Sequence, residues 1–411
     1  MPSTTCRFCA ANVTTSFADL GMSPIANDYL SGDQVNGMEP FYPLRALVCD
    51  QCFLVQLEDF ETPEAIFADD YAYFSSYSTS WLEHCRRYVG HAVERFGLGP
   101  ESKVVEVASN DGYLLQYFRE RDIPVLGIEP AASVAQAAQL KGVPTVQRFF
   151  GVETANDLVG EAEADLLIGN NVLAHVPDLN DFVAGMQVML KPHGVITMEF
   201  PHLQQLIEHV QFDTIYHEHF SYFSFLTVER VFAANGLVIF DVEELPTHGG
   251  SLRIYGRRAD SDHEPVTDRV TDLGARERAA GYAELDIYRA FAERVKATKR
   301  EVLRFFIDAK EAGASIAGYG APAKGNTLLN YCGIGADLLD YTVDLSPHKQ
   351  GKFLPGTHIP ILAPEEIART RPDYLFILPW NLRDEIIDQM SHVRDWGGRF
   401  VVRTPEFEVI E

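Results

Sequence analysis

Between Lys103 and Glu199, short branched-apolar runs alternate with stretches of helical spacing, and this alternation constrains the fold more than any other feature of the chain. Lys103–Val107, Val125–Glu129, Asp165–Gly169 and Gly194–Glu199 read as strands, with helices at Tyr113–Glu120, Ala131–Lys141 and Leu179–Leu190 between them. Strands apolar on both faces must be covered on both, so the pattern predicts a mainly parallel sheet with helices on either side. A helix carrying Leu82, Cys85, Tyr88, Val89, Ala92, Val93 and Phe96 at helical spacing leads into it. A long helical stretch near residues 275–312 then leads to a second alternation, with strands at Ser315–Gly320, Leu339–Asp344, Tyr374–Leu378 and Arg399–Val402. At 411 residues the chain exceeds one ordinary core. The expected organisation is α/β, with units at 1–70, 71–300 and 301–411.

The first unit is rich in turn formers and too short to hold its own core without help. The help is in the cysteines. Four of the six form two tight pairs, Cys6-x-x-Cys9 and Cys49-x-x-Cys52. Such knuckles offer four thiolates in the tetrahedral set that zinc prefers, so a structural zinc is expected there. Cys85 and Cys332 read as ordinary buried thiols.

A formal net charge of −25 excludes a polyanionic partner such as nucleic acid, which binds basic surfaces. A small anion stays allowed, because a local cluster of cations or a helix N-terminus can oppose the global field. No apolar run approaches the ~20 residues that cross a bilayer. Met1–Thr5 lacks the basic start and apolar stretch of a secretory signal, so the expectation is a cytoplasmic protein without membrane contact, monomeric or homodimeric.

The first strand of the central unit ends in Glu106-Val107-Ala108-Ser109-Asn110-Asp111-Gly112. Small residues at a strand-to-helix turn let backbone amides approach a ligand, but a dinucleotide turn would carry three spaced glycines and this one has only Gly112. Glu106 suits the amino group of a methionine moiety, and Glu129 closes the next strand where an acid can hold ribose hydroxyls. These features favour S-adenosylmethionine (SAM), with Ala108, Ser109, Asn110, Gly112 and Pro130 completing its site. Asn170 and Asn171, after the third strand, are placed to touch the cofactor, and His175 to face a substrate.

The densest chemical cluster is Tyr216-His217-Glu218-His219, interleaved with Ile215, Phe220, Tyr222 and Phe223. A phenol, a carboxylate and imidazoles packed among aromatics can supply a general base, its orienting partner and a proton donor. An H-E-x-x-H metal motif is absent, since Ser221 stands four past His217. His248-Gly249-Gly250-Ser251 reads as a second wall. Gly318–Asn326 joins a strand to a helix and forms a diphosphate cradle with Lys324; an NAD site is its rival reading, weakened by Pro322.

Taken in order, these motifs resemble the sugar 3-C-methyltransferases that make branched deoxysugars such as mycarose and tetronitrose. The resemblance runs from the cysteine pairs through Tyr71–Ser76, Glu106–Gly112, Asn171–Pro177, Tyr216–Phe220 and Leu245–Gly250 to Gly318–Lys324, with Phe74 where some relatives have His. It implies a zinc-binding N-terminal module, a Rossmann-like SAM methyltransferase domain and a smaller Rossmann-like C-terminal domain. It also implies a nucleotide-linked 4-keto-6-deoxyhexose as substrate. In the family's pattern His219 is the base that removes the proton from carbon 3, with Tyr216, Glu218 and His175 orienting it or stabilising the enolate. Tyr73, Ser75, Ser76, His248, Tyr319, Lys324 and Asn326 are the expected substrate contacts. The rival functions are an O- or N-methyltransferase of another small molecule, a non-catalytic binding protein, and a zinc-ribbon RNA methyltransferase. Arg7 and Arg45 stand against seven acids in residues 1–60, which disfavours the last.

Overall fold

The computed structural model describes residues 4–58, 60, 74–160 and 162–411. At the N-terminus, β1 (Thr4–Thr5) and β2 (Asn12–Val13) pair antiparallel across the first cysteine knuckle. β3 (Thr15–Ser23), β4 (Tyr42–Val48) and β5 (Val55–Leu57) make an antiparallel sheet, the last two flanking the second knuckle. A fourth strand, Ser221–Tyr222, comes to β5 from far along the chain, so this small sheet is completed by the segment carrying the Tyr216–His219 cluster.

The central sheet contains β6 (Val104–Val107), β7 (Val125–Ile128), β8 (Thr145–Val146), β9 (Ala164–Asn170) and β10 (Leu190–Pro201). Beyond β11 (Ser221–Tyr222) it adds β12 (Leu237–Leu245) and β13 (Ser251–Arg258). Their order is β8-β7-β6-β9-β10-β13-β12, with β13 antiparallel to both neighbours and every other pairing parallel. Every residue of β6 and β7 is buried, including Glu106 in the otherwise apolar β6. The chain leaves β6 toward β7 and returns on its other side at β9, and such a switch point opens a crevice at the strands' carboxyl ends. The helix Thr79–Phe96 is capped by the Ser78 side chain and buries Cys85, Tyr88, Val89 and Ala92. Tyr88 meets Thr197 of β10 at 2.5 Å, which sets the helix's first turn over the crevice.

The helical stretch expected near 275–312 is two helices, Asp268–Ala279 and Leu285–Glu311, parted where Gly281 takes φ +92°. A boundary at residue 300 falls inside the second of these. Its periodicity has no break there because both ends are used: Phe291 stacks on Phe17 of β3 with centroids 4.4 Å apart, while Phe306 packs on Phe376 at 5.2 Å. Phe376 belongs to the third sheet, made of β14 (Ile316–Tyr319), β15 (Tyr341–Val343), β16 (Ile361–Leu362), β17 (Tyr374–Ile377), β18 (Arg399–Val402) and β19 (Glu408–Ile410). The order is β16-β15-β14-β17-β18-β19, parallel except for β19, again doubly wound about its first strand. None of the helices among the described residues is long and apolar enough to cross a membrane.

Candidate active site

The crevice of the central sheet widens into a cavity of about 1260 Å³, walled by all three sheets. Ligand sites for one small molecule run to ~300–1,000 Å³, so there is room for two ligands side by side.

At one end lies the turn after β6, where Ala108, Asn110 and Gly112 take φ of +53°, +47° and +75°. Glu129 holds it from the end of β7: one carboxylate oxygen accepts the Asn110 N–H and the other the Ala131 N–H, each at 2.9 Å. Each oxygen keeps a lone pair, a pairing that fits the two hydroxyls of a ribose. Asn110 also accepts the Ser75 N–H at 2.9 Å, and Ala108, Asn110, Glu129, Pro130, Asn170 and Asn171 all line the cavity. Three residues expected at this end do not reach the wall. Ser109 is fully buried against Gly127, and Gly112 is needed because a Cβ there would lie 2.9 Å from Val143. Glu106 is fully buried with its carboxyl pushed well above the usual range by desolvation, and Tyr113, which draws it back down, is the side chain that faces the cavity.

At the centre is His219. Its Nδ1 lies 2.9 Å from the Thr214 carbonyl oxygen. A carbonyl only accepts, so Nδ1 carries the proton and Nε2 keeps its lone pair. Burial holds the ring well below the ordinary imidazole range, and interactions with His175, Lys324 and His248 lower it further. The ring sits 4.0 Å from that of Tyr216 and 4.7 Å from that of His175, whose own pKa falls to about 4 on burial. The orienting partner of His219 is thus a backbone carbonyl rather than Glu218. Glu218 turns to Asn27, which donates to it at 2.7 Å, and burial lifts its carboxyl to about 7. His217 leaves the cluster for the N-terminal sheet, where its Nε2 meets the Pro43 carbonyl. Residues 216–219 make a turn closed by the His219 N–H on the Tyr216 carbonyl at 2.9 Å, and consecutive side chains leave it in different directions, which a sequence reading of adjacent polar residues cannot show.

His248 lines the same space in a left-handed backbone conformation, φ +53°, with its Nε2 3.1 Å from Asn171 Nδ2. Beside it stands an assembly the sequence reading did not assign. Glu199, at the carboxyl end of β10, accepts from Thr247 at 2.8 Å and Arg253 at 2.5 Å and pairs with His84 at 2.9 Å. Burial opposes its charge, but His84 and Arg253 hold the carboxyl at about 2. Trp81 stacks on His84 and meets His248 edge-on at 5.3 Å. The available signal was Glu199's place at a strand end, the position that singled out Glu106 and Glu129.

The far wall belongs to the third sheet. The helix Ala323–Cys332 starts at the cavity, with Lys324 lowered to about 8 by burial, donating to Asn381 at 2.7 Å and lying 4.4 Å above the Trp380 ring. The turn before it is not an open dinucleotide cradle: Asp344 already accepts the Ala321 N–H at 2.8 Å, and Gly320 abuts Pro379. Tyr319 and Asn326, expected at the substrate, are directed elsewhere. Tyr319 lies on the strand face packed in the third sheet's core and donates to Gln389, while Asn326 points inward from its helix and donates to the Ala26 carbonyl. Ser76 is off the wall, accepting from Lys141 at 2.7 Å, and Tyr73 lies outside the described residues.

At the knuckles, the Sγ atoms of Cys6, Cys9, Cys49 and Cys52 all lie within 4.8 Å of one another, with the Cys6–Cys52 and Cys9–Cys49 pairs at 3.5 Å. A tetrahedral zinc with Zn–S near 2.3 Å needs sulfurs about 3.8 Å apart, so the set fits. Both knuckles have one design, in which the first cysteine's carbonyl accepts the N–H four residues on, from Ala10 or Phe53 in the left-handed region. Cys6 is drawn down to about 5 by its contact with Cys52, while burial pushes Cys49 up to about 11. Four thiolates so close require a cation among them.

The chain is 38% identical over 409 residues, covering 98% of its own length and 96% of the other, to the C-methyltransferase NovU of Streptomyces niveus. The chain belongs to the C-methyltransferase family. Family models agree along its length: a zinc binding domain over residues 6–67, a methyltransferase domain over 81–242 and a C-methyltransferase C-terminal domain over 246–405. The last begins before β13, so it takes in a strand of the central sheet. Among solved structures, a 1,6-didemethyltoxoflavin-N1-methyltransferase from Burkholderia thailandensis is 19% identical, with 51% of this chain and 95% of that one covered and a TM-score of 0.37. The magnesium protoporphyrin IX methyltransferase of Synechocystis PCC 6803, with bound S-adenosylhomocysteine, is 14% identical, covering 47% and 92%, with a TM-score of 0.36. This C-methyltransferase uses SAM as its cofactor and carries zinc on its cysteine knuckles.

Proposed function

We propose that this C-methyltransferase methylates carbon 3 of a nucleotide-linked 4-keto-6-deoxyhexose through an enolate. The observation that carries this reading is His219, a buried neutral imidazole with Nδ1 committed to Thr214 and Nε2 left basic at the cavity wall. Carbon is a poor nucleophile until a proton leaves it, and a 4-ketone acidifies the proton on carbon 3. His219 Nε2 takes that proton, and the electron pair moves into the enolate. SAM supplies the methyl group, whose bond to sulfur breaks as the bond to carbon 3 forms. Glu218, close to half-protonated at neutral pH, and Tyr216 offer hydrogen bonds to the oxygen on which the enolate charge gathers.

The two ends of the cavity divide the ligands. Glu129, Asn110, Pro130 and Asn171 hold the cofactor beside the β6 turn. Lys324, with the start of its helix, takes the substrate's diphosphate, and Trp380 offers a face to its base. The test is incubation with SAM and a panel of dTDP- and GDP-linked 4-keto-6-deoxyhexoses in heavy water. Deuterium should enter carbon 3 of the recovered substrate, and in the product a methyl group should stand in place of that hydrogen, by mass spectrometry and NMR. Methylation on oxygen or nitrogen, with no exchange at carbon, would overturn the reading.

A further inference from the structure

Among the described residues of the segment 4–60, Asn27 is the one that lines the cavity. It follows β3 by a few residues, on a segment clamped from both sides. Asn326 of the third sheet's first helix donates to the Ala26 carbonyl at 2.6 Å. Tyr29 donates to the Ala321 carbonyl at 2.6 Å, and Lys349 donates to the same oxygen at 2.8 Å. Between these anchors Asn27 Nδ2 reaches Glu218 Oε1 at 2.7 Å, while its Oδ1 lies 3.1 Å from the Tyr29 hydroxyl. An amide suits this place because its Nδ2 donates to the Glu218 carboxylate. Burial raises the Glu218 carboxyl, and the Asn27 amide opposes that rise by favouring the ionised form.

We infer that Asn27 is a positioning residue for methyl transfer, by which the zinc-bearing module fixes the Glu218 carboxyl in the cavity that His219 also lines and ties it to the turn before Lys324. The inference rests on the role given above to Glu218. Glu218 faces Asn27 and Tyr29 from the N-terminal segment, with Lys349 beyond Tyr29 and His219 on its own loop; its backbone meets His175. Among these, Asn27 alone hydrogen-bonds its carboxylate among the described residues. The arrangement gives the N-terminal module a task beyond folding: a side chain it carries sets the protonation of a group at the reacting carbon.

The experiment is a double-mutant cycle on the full-length, zinc-loaded enzyme with SAM and a dTDP-linked 4-keto-6-deoxyhexose that the wild type methylates. Asn27→Ala should lower kcat about 10-fold, the scale of one hydrogen bond to a charged group. Zinc content and SAM affinity should not move. The limb of the kcat–pH profile that titrates Glu218 should shift to higher pH, because a group favouring the carboxylate has gone. Asn27→Asp keeps the shape, loses the donor and adds a like charge, so it should shift the same limb further; it also serves if Asn27→Ala folds poorly. In a Glu218→Gln background, Asn27→Ala should cost nothing more. Multiplying effects, or an unshifted limb in both Asn27 variants, would overturn the positioning role while leaving Glu218 in place. A Glu218→Gln enzyme at the wild-type rate would instead overturn the reading of the cluster, and this inference with it.

Discussion

Two strand-to-helix turns, after β6 and after β14, are built on the same plan and face the same cavity. In each, an acid at the end of the next strand accepts a backbone N–H of the turn: Glu129 takes Asn110, and Asp344 takes Ala321. They differ in how the chain continues into the helix. After β6 it spends Asp111–Leu114 in turns before a five-residue helix, and the wall is made of small residues, amides and the Glu129 carboxylate. After β14 a ten-residue helix begins at once, with Lys324 in its first turn and Lys349 and Arg383 also on the wall. Around the first turn the wall offers amides and the Glu129 carboxylate, which suit a diol and an ammonium group; at the second, Lys349 and Arg383 are paired with Asp344 and Asp384, and Lys324 brings its ammonium group to the wall beside Asn381. Topology places a ligand at such a turn, and the first residues beyond it set the ligand's charge.

The proposed base, His219, gives the hardest test of this division. His219→Asn removes the lone pair at Nε2 and should lower kcat by about 10²–10⁴. Calorimetric SAM affinity and substrate KM should stay near wild type, since neither end is touched; a large loss of either would mean that His219 belongs to a binding end. Lys324→Met is the next largest, raising KM for the nucleotide sugar about 10–100-fold with SAM affinity unchanged. Lys324 also gives a pH dependence. Its charge is present below about pH 8 and lost above it, so wild-type KM should climb through that range. Lys324→Arg, charged throughout, should flatten the climb, and a KM indifferent to pH in the wild type would remove the diphosphate from this end.

Glu129→Ala is the mirror of Lys324→Met at the cofactor end. It should weaken SAM binding about 10-fold by calorimetry while substrate KM holds. Equal effects of both variants on both ligands would erase the distinction between the turns. The smallest expected effect on either end is that of Cys49→Ser. Loss of a ligand should abolish stoichiometric zinc by elemental analysis and lower the thermal midpoint, yet leave SAM affinity within about 2-fold, because the β6 turn shares no residue with the knuckles.

Much of the framework was legible because apolar runs such as Val125–Ile128 and Leu375–Ile377 have one good solution, a strand buried on both faces. The cysteine spacing told as much about the knuckles. The run Leu252–Tyr255 reads as strand-like and lies in β13; less visible was β12, where the Glu243–Glu244 pair interrupts the apolar pattern. Arg253 is tolerated in a buried strand because Glu199 and the Tyr88 ring receive it. Within the site, the sequence located the segments but not the direction of each side chain. Tyr319 and Lys324 lie on one turn, yet one faces a core and the other the cavity. Asn27, Trp81 and His84 escaped notice because each becomes significant only through a partner more than a hundred residues away or across the sheet.

The clamp on the N-terminal segment bears on how such enzymes can be recombined. Besides Ala26 and Tyr29, Leu30 bridges Phe353, and Glu39 accepts from Gly356 and pairs with His358. A graft that exchanged residues 246–405 for those of a relative, to import a new substrate preference, would replace one partner in every one of these contacts. It would also displace the chain that carries Asn27. Residues 24–39 therefore form one heritable block with the C-terminal third, and chimeras designed around that block should retain turnover where cuts made at domain borders lose it.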